Sequence, residues 1–173
     1  MKKLESTWYN MAIVLTVISV VAGAALGYVN DITAPTIKAI NEQKEKDAEL
    51  EVLNGQEGTA IKITDPKGFG GALTVMVGLA PDGTILGYKV LESSETPGLG
   101  AKAQDWFQQG HKGNIIGKQA GNLTVSKDGG EVDAITASTI TSRAFLLAVN
   151  NAYKAFKGTP VDAQSGASQQ VKE

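Results

Sequence analysis

The chain has 173 residues, enough for one ordinary globular domain and a short additional segment. Its formal net charge is −2 and its isoelectric point is near 5.5, which argues against a general nucleic-acid binder. The absence of cysteine excludes thiol-ligated iron–sulfur clusters, catalytic thiols and disulfides. The single histidine, His111, has no neighbouring set of ligand residues, so no metal site is expected.

Residues 11–29 are apolar and carry no charge, and residues 1–10 precede them as a short N-terminal segment. As a helix the apolar stretch is roughly 28 Å long, close to the hydrocarbon thickness of a bilayer. Lys2 and Lys3 favour a cytoplasmic N-terminus, but three lysines that follow on the other side mean that the positive-inside rule alone does not decide the orientation. A cleaved signal peptide is the alternative, because residues 22–24 (Ala-Gly-Ala) resemble a cleavage site. A retained anchor is favoured because the run is long for a signal peptide, and both interpretations put the remaining chain outside the cytoplasm.

Residues 30–58 are predicted to form a juxtamembrane stalk. Pro35 is expected to break the first helix, because proline disfavours the α conformation in the residue before it. The charge-rich residues 42–51 are typical of a solvated helix whose acidic and basic side chains pair. Few apolar residues accompany them, so we expect this helix to space the following domain from the bilayer.

Residues 59–157 are predicted to form an α+β domain, in which helices pack on an antiparallel sheet. In residues 73–79 apolar side chains alternate with other residues, which predicts a strand with one buried face. A Pro-Asp-Gly-Thr turn at residues 81–84 leads into a second strand at residues 85–91. These segments therefore predict a β-hairpin.

The rest of the domain gives weaker signals. Residues 113–116 and 122–126 are candidates for short strands. Residues 105–108 are expected to begin or continue a helix, with Trp106 and Phe107 in the core. Residues 158–173 are rich in Ser, Gln and Ala and are expected to form a flexible tail.

A loop with the sequence Glu-Thr-Pro-Gly-Leu-Gly follows the hairpin at residues 95–100. Pro97 fixes one backbone angle, whereas Gly98 and Gly100 permit conformations that other residues avoid. Such a loop can bring backbone N–H groups close to a flat ligand. Taken alone, the same residues fit a plain Pro-Gly turn better, and Lys102 fits an ordinary surface lysine.

Residues 133–143 begin as β-prone residues, become polar, and lead into an apolar stretch with helical periodicity. Thr136 and Ser138 are candidate N-caps of that helix. The hydroxyl of Thr139 would then lie beside the unpaired N–H groups of the helix start, where a phosphate group is stabilised. The alternative is that these hydroxyl residues only cap the helix.

Both motifs resemble those of the FMN-binding domain family, found in the G subunit of the Rnf complex and the C subunit of the Na+-pumping NADH:quinone reductase. In that family an Asp is followed, after two residues, by a Ser/Thr-Gly-Ala-Thr tetrad whose last Thr carries FMN through a phosphodiester bond. Asp133 and residues 136–139 are similar to this pattern, with Ala137 where Gly is usual and Ser138 where Ala is usual. The resemblance implies covalent FMN on Thr139.

Residues 95–100 are similar to the ETPGLG loop of the same family, which lies along the flavin. Lys102 closely follows the loop, and a cation there would help to neutralise the phosphate or the reduced flavin. The resemblance implies that Thr136 and Ser138 belong to the site and that five loop residues line the isoalloxazine pocket. These are Glu95, Thr96, Gly98, Leu99 and Gly100. It also implies a separate flavin transferase with FAD as donor, for which Asp133 is either part of the recognised sequence or a structural cap.

The chain lacks a Ser-His-Asp set or any comparable constellation for hydrolysis or group transfer, so redox chemistry would come from FMN. One anchor and little more than the flavin domain resemble the Rnf G subunit. The resemblance implies an electron-relay subunit of a ferredoxin:NAD+ oxidoreductase complex that moves Na+ or H+ across the bacterial inner membrane, together with other membrane and redox subunits. The alternatives are the C subunit of the NADH:quinone pump and a membrane-anchored scaffold without flavin.

Overall fold

The computed structural model describes residues 7–158. Residues 1–6 of the predicted cytoplasmic segment, and the predicted tail from residue 159 onward, lie outside the described residues. The chain divides into two compact units, one ending at Gln43 and one beginning at Lys44.

Helix α1 spans Trp8–Leu53 and supplies the first unit up to Gln43. It contains a segment long and apolar enough to cross a membrane, and none of that segment is buried in the protein. Pro35 lies inside the helix without ending it, so the predicted break is wrong. A proline removes one helical hydrogen bond, but the helix-forming runs on both sides keep their own bonds, and the helix therefore continues.

The second unit contains a three-stranded antiparallel sheet in the order β1-β2-β3. Strand β1 spans Thr59–Asp65, β2 spans Leu73–Leu79 and β3 spans Ile85–Ser93. The turn between β2 and β3 is closed by a hydrogen bond from the Ala80 N–H to the Thr84 carbonyl at 2.9 Å. The α+β class, the antiparallel sheet and the hairpin are thus confirmed.

Strand β2 is buried along its whole length, so the prediction of a single buried face is wrong. On one face, Met76 packs with Ala48 and Val52 from the last turns of α1. A β-carbon on Gly78 would lie 2.3 Å from the Val52 carbonyl oxygen, so only glycine permits this close approach. Residues 44–53 are therefore part of the second unit, and they do more than space it.

Two ion pairs connect the same part of α1 to the sheet. Glu45 pairs with Lys62 on β1, and Glu51 pairs with Lys89 on β3. The acidic side chains of this segment thus reach lysines on the strands, whereas the sequence suggested pairs within the helix. Both pairs are partly exposed to solvent, so they orient the helix end more than they stabilise it.

The other face of the sheet is covered by helix α3, Thr139–Phe156, which contacts β1 and β2. Phe145 on α3 stacks on Phe107 with ring centroids 4.3 Å apart, and meets the Tyr88 ring edge-on at 4.8 Å. These rings form the centre of the hydrophobic core.

The short helix α2 spans Ala103–Trp106, so residues 105–106 continue a helix as expected, whereas residues 107–108 lie beyond its end. Phe107 is fully buried, as predicted, whereas Trp106 is only partly buried and donates its indole N–H to the Asp133 carbonyl at 2.8 Å. The Tyr88 hydroxyl contacts the Ala103 carbonyl at 2.9 Å, so this tyrosine does more than pack.

The predicted strands at residues 113–116 and 122–126 are absent, apart from an isolated bridge between Val125 and Val132. The side chain of Asn150 on α3 supplies hydrogen bonds that a neighbouring strand would otherwise give. It accepts from the Leu123 N–H at 2.9 Å and donates to the Leu123 carbonyl at 2.8 Å. The backbone N–H and carbonyl of Leu123 are therefore satisfied without a ladder.

Candidate functional site

A cleft of about 350 Å³ lies between the loop that follows β3 and the first turn of α3. It brings together the two sequence motifs, which are far apart along the chain. The lining residues are Phe69, Glu95, Thr96, Leu99, Gly100, Ala137, Ser138, Thr139, Ile140 and Thr141.

Six of the nine residues predicted for the site line this cleft: Glu95, Thr96, Leu99, Gly100, Ser138 and Thr139. The other three predicted residues are exposed to solvent and do not line the cleft: Gly98, Lys102 and Thr136. Four lining residues were not singled out from the sequence as cleft residues: Phe69, Ala137, Ile140 and Thr141.

Helix α3 begins at Thr139, with Ser138 in the N-cap position. Of the two candidate caps, Ser138 therefore occupies the N-cap position and Thr136 does not. The Ser138 side chain makes no capping hydrogen bond. The first N–H groups of a helix have no carbonyl partner within it. Those of α3 are thus available to an anion beside Thr139, at the positive end of the helix dipole.

The bend before α3 is held by Ser142. Its hydroxyl accepts a hydrogen bond from the Ile135 N–H at 2.9 Å and donates to the Ser138 carbonyl at 2.9 Å. Within the bend Ala137 has φ of +61°, in the left-handed region that favours glycine. This explains why the tetrad of the resembling family has glycine at the same place.

Glu95 is 7% exposed, and its Oε1 accepts a hydrogen bond from the Phe69 N–H at 2.7 Å. Its Oε2 has no partner among the described residues, and neither has the hydroxyl of the fully buried Thr141. A β-carbon on Gly100 would lie 2.5 Å from Glu95 Oε2 and 2.7 Å from Thr141 Oγ1. Buried polar atoms are rarely left unpaired, and both of these oxygens belong to residues that line the cleft, so they are candidates for contact with a ligand.

Exposed apolar side chains line the other parts of the cleft. Phe69 is 69% exposed, Ile140 51% and Leu99 41%. Phe69 lies in the loop between β1 and β2, and a β-carbon on the adjacent Gly70 would lie 2.1 Å from the Ser94 carbonyl oxygen. The glycines around Phe69 let its loop approach the end of β3, and this Gly-Phe-Gly-Gly run is the sequence signal that could have revealed it.

Lys127 is a further residue that the sequence reasoning missed. Its Nζ lies 3.3 Å from the Thr139 hydroxyl oxygen, to which it donates a hydrogen bond. It comes from the 3-10 turn Ser126–Asp128, which precedes the motif in the chain. The cation beside the predicted attachment point is therefore Lys127, while Lys102 stands outside the cleft lining.

Residues 68–154 match the FMN-binding domain family. This range includes the whole cleft, so fold and site together define an FMN-binding domain. The G subunit of the Na+-translocating ferredoxin:NAD+ oxidoreductase complex of Acetobacterium woodii is 31% identical over 204 residues, covering 90% of this chain and 96% of that protein.

The G subunits of ion-translocating oxidoreductase complexes from other bacteria show further similarity. That of Vibrio vulnificus is 40% identical over 123 residues, covering 65% of this chain and 56% of the relative. That of Pseudoalteromonas atlantica is 40% identical over 95 residues, covering 53% of this chain and 44% of the relative. These two matches span about half the length of those relatives. The chain belongs to the family of these G subunits and contains an FMN-binding domain.

Proposed function

We propose that this protein is the electron-transferring G subunit of an ion-translocating ferredoxin:NAD+ oxidoreductase complex, carrying FMN bound through a phosphodiester to Thr139. The observation that carries the proposal is the cleft itself. It joins the start of α3, where Thr139 is the first helical residue, to the loop at residues 95–100. Membership of the G-subunit family supports the assignment of the complex.

The residues of the cleft suit the two parts of FMN. The apolar side chains of Phe69, Leu99 and Ile140 offer surface to a flat aromatic ring system. The unpaired Glu95 carboxylate oxygen can accept a hydrogen bond, and the Thr141 hydroxyl can donate or accept one. The polar edge of an isoalloxazine carries both N–H and carbonyl groups, so it matches this pair.

Attachment requires one covalent step at Thr139, performed by a separate flavin transferase with FAD as donor. The Thr139 oxygen forms a bond to the FMN-side phosphorus of FAD, and the pyrophosphate bond breaks. AMP leaves with the bonding electrons, and the hydroxyl proton passes to a base of the transferase. The free N–H groups at the start of α3 then stabilise the negative charge of the phosphodiester.

When bound, FMN supplies the capacity to accept and donate electrons. Thr139 would hold the phosphate, and the apolar residues that line the cleft would shield part of the ring from water. The long apolar segment of α1, together with the ion-translocating complexes of the relatives, indicates a single-pass membrane protein. We place the second unit on the extracytoplasmic side of the bacterial inner membrane, where it passes electrons between other membrane and redox subunits while Na+ or H+ is moved.

The site of attachment is tested by co-producing the full chain with a flavin transferase and examining denatured protein for flavin fluorescence. We expect fluorescence with the wild-type chain, none with Thr139→Ala, and retention with Thr136→Ala, because Thr136 does not line the cleft. Fluorescence that persists in Thr139→Ala would refute the attachment site. Wild-type protein without any flavin would refute the proposed function.

A further inference from the structure

The 3-10 turn Ser126–Asp128 is fastened to helix α3 by a bidentate ion pair. The Arg143 Nε and Nη2 atoms donate to the two carboxylate oxygens of Asp128, each at 2.7 Å. These hydrogen bonds lower the pKa of Asp128 and raise that of Arg143. A bidentate pair fixes orientation as well as distance, so the turn is aligned with the first two turns of α3.

The same turn also holds the acidic residue that opens the motif. The Ser126 hydroxyl lies 3.1 Å from Asp133 Oδ1, and the Asp133 carbonyl accepts the Trp106 indole N–H at 2.8 Å. Side chain and backbone of Asp133 are therefore both engaged by residues outside α3. This favours a role for Asp133 in joining the turn to the motif over a role as helix cap.

Lys127 lies between Ser126 and Asp128 in the turn, and its Nζ is 3.3 Å from the Thr139 hydroxyl oxygen. Each side chain of the turn thus contacts a different residue of the motif. Ser126 contacts Asp133, Lys127 contacts Thr139, and Asp128 contacts Arg143. The ammonium group is exposed, so a transferase can approach Thr139 with Lys127 in place. A phosphodiester at Thr139 would have the ammonium group and the start of α3 as its two positive neighbours.

We propose that Lys127 is a phosphate-binding residue of the flavin-attachment site, held beside Thr139 by the turn Ser126–Asp128. Its positive charge attracts the FMN phosphate of FAD to the acceptor hydroxyl and afterwards neutralises the phosphodiester. This inference rests on the proposed function. Lys127 lies outside both sequence motifs, and the rate of flavin attachment depends on it.

The experiment uses full-length chain in detergent, purified without flavin, with purified transferase and FAD, and measures the initial rate of covalent flavin incorporation. Lys127→Ala should be slower by roughly fivefold, the size expected of a solvent-exposed ion pair. Lys127→Arg should restore most of the rate, because the charge is kept. The difference between Lys127→Ala and wild type should shrink as salt is added, since salt screens exposed charges. Lys112→Ala, at an exposed lysine outside the cleft lining, is the matched control.

A second readout separates a contact with the bound phosphate from a contact with the transferase. In the finished flavoprotein, the phosphorus NMR resonance of the phosphodiester should move in Lys127→Ala and stay in place in Lys112→Ala. A wild-type rate in Lys127→Ala, a defect that Lys127→Arg does not repair, or an unmoved resonance would overturn the assignment of Lys127. Wild-type chain that takes up no flavin would instead overturn the proposed function.

Discussion

The Glu95 carboxylate and the Thr141 hydroxyl flank Gly100, since a β-carbon there would come within 2.5 Å of the first and 2.7 Å of the second. Each presents a buried oxygen without a hydrogen-bond partner among residues 7–158. An unsatisfied buried polar group costs about 1–3 kcal/mol, so the protein should gain stability when a ligand supplies the missing partners.

The closeness of these groups makes Gly100 the most sensitive position of the loop. Gly100→Ala would push its methyl group into the Glu95 carboxylate and the Thr141 hydroxyl, so we expect a loss of about 1–3 kcal/mol in the free energy of unfolding. Covalent flavin incorporation should fall as well. Thermal unfolding and flavin fluorescence of the denatured chain measure the two effects.

Gly98→Ala provides the comparison within the same loop. Its β-carbon would meet nothing within 4 Å, but its φ is +78°. We expect it to lose about 1 kcal/mol through backbone strain alone. A Gly100→Ala variant as stable and as well flavinylated as the wild type would contradict the described packing of the cleft.

A substitution at Ala137 should raise the free energy of unfolding, whereas those at Gly98 and Gly100 should lower it. Its φ of +61° is strained for alanine, whereas glycine adopts it freely. Ala137→Gly should therefore stabilise the protein by about 0.5–1 kcal/mol, seen as a higher unfolding temperature. Ala134→Gly is the control, because Ala134 lacks a positive φ and should lose stability on the same substitution. A loss of stability in Ala137→Gly would disprove the left-handed turn.

The Tyr88 hydroxyl predicts a dependence of stability on alkaline pH. It contacts the Ala103 carbonyl at 2.9 Å and accepts from the Phe107 N–H at 3.2 Å, and burial raises the pKa of Tyr88 above its usual value of about 10. The folded state favours the neutral phenol. Its contribution to stability is therefore complete below the usual pKa and is lost as the pH rises above it.

Tyr88→Phe should lower the free energy of unfolding by about 1–2 kcal/mol at neutral pH, because it removes buried hydrogen bonds. Above about pH 10 the stability of the variant should fall less steeply than that of the wild type. Unfolding curves recorded across this range test the difference. Curves that run parallel would show that Tyr88 does not titrate as its burial requires.

The absence of cysteine makes the membrane orientation directly testable. A cysteine introduced at the exposed Lys112 should react with a membrane-impermeant maleimide in intact spheroplasts. A cysteine at Lys3 should react only after the membrane is permeabilised. The reverse pattern would place the flavin domain in the cytoplasm.

Local patterns predicted the sheet and the hairpin, because alternation and a Pro-Asp-Gly turn depend on neighbouring residues. They did not predict that β2 is covered on both faces. That coverage depends on the contact between Gly78 and Val52, which lies on helix α1 and is well separated from Gly78 along the chain. Likewise Pro35 predicted a helix end that the cooperativity of the long flanking helix overrides.

The site shows the same division. Its two motifs could be found because each is a contiguous run that resembles a known pattern. Phe69 has a local signal in the glycines around it, but Thr141 and Lys127 could not be assigned, because nothing local distinguishes them from a helical threonine and a surface lysine. Their significance comes from distances across the fold, such as the 3.3 Å between Lys127 Nζ and Thr139 Oγ1.

The intact mass of the protein, purified from cells that also make a flavin transferase, tests the central claim most directly. We predict a chain heavier than its amino acids by one FMN less one water, with fragmentation placing the addition on Thr139. A chain with only the mass of its amino acids, or an addition on another residue, would contradict the account.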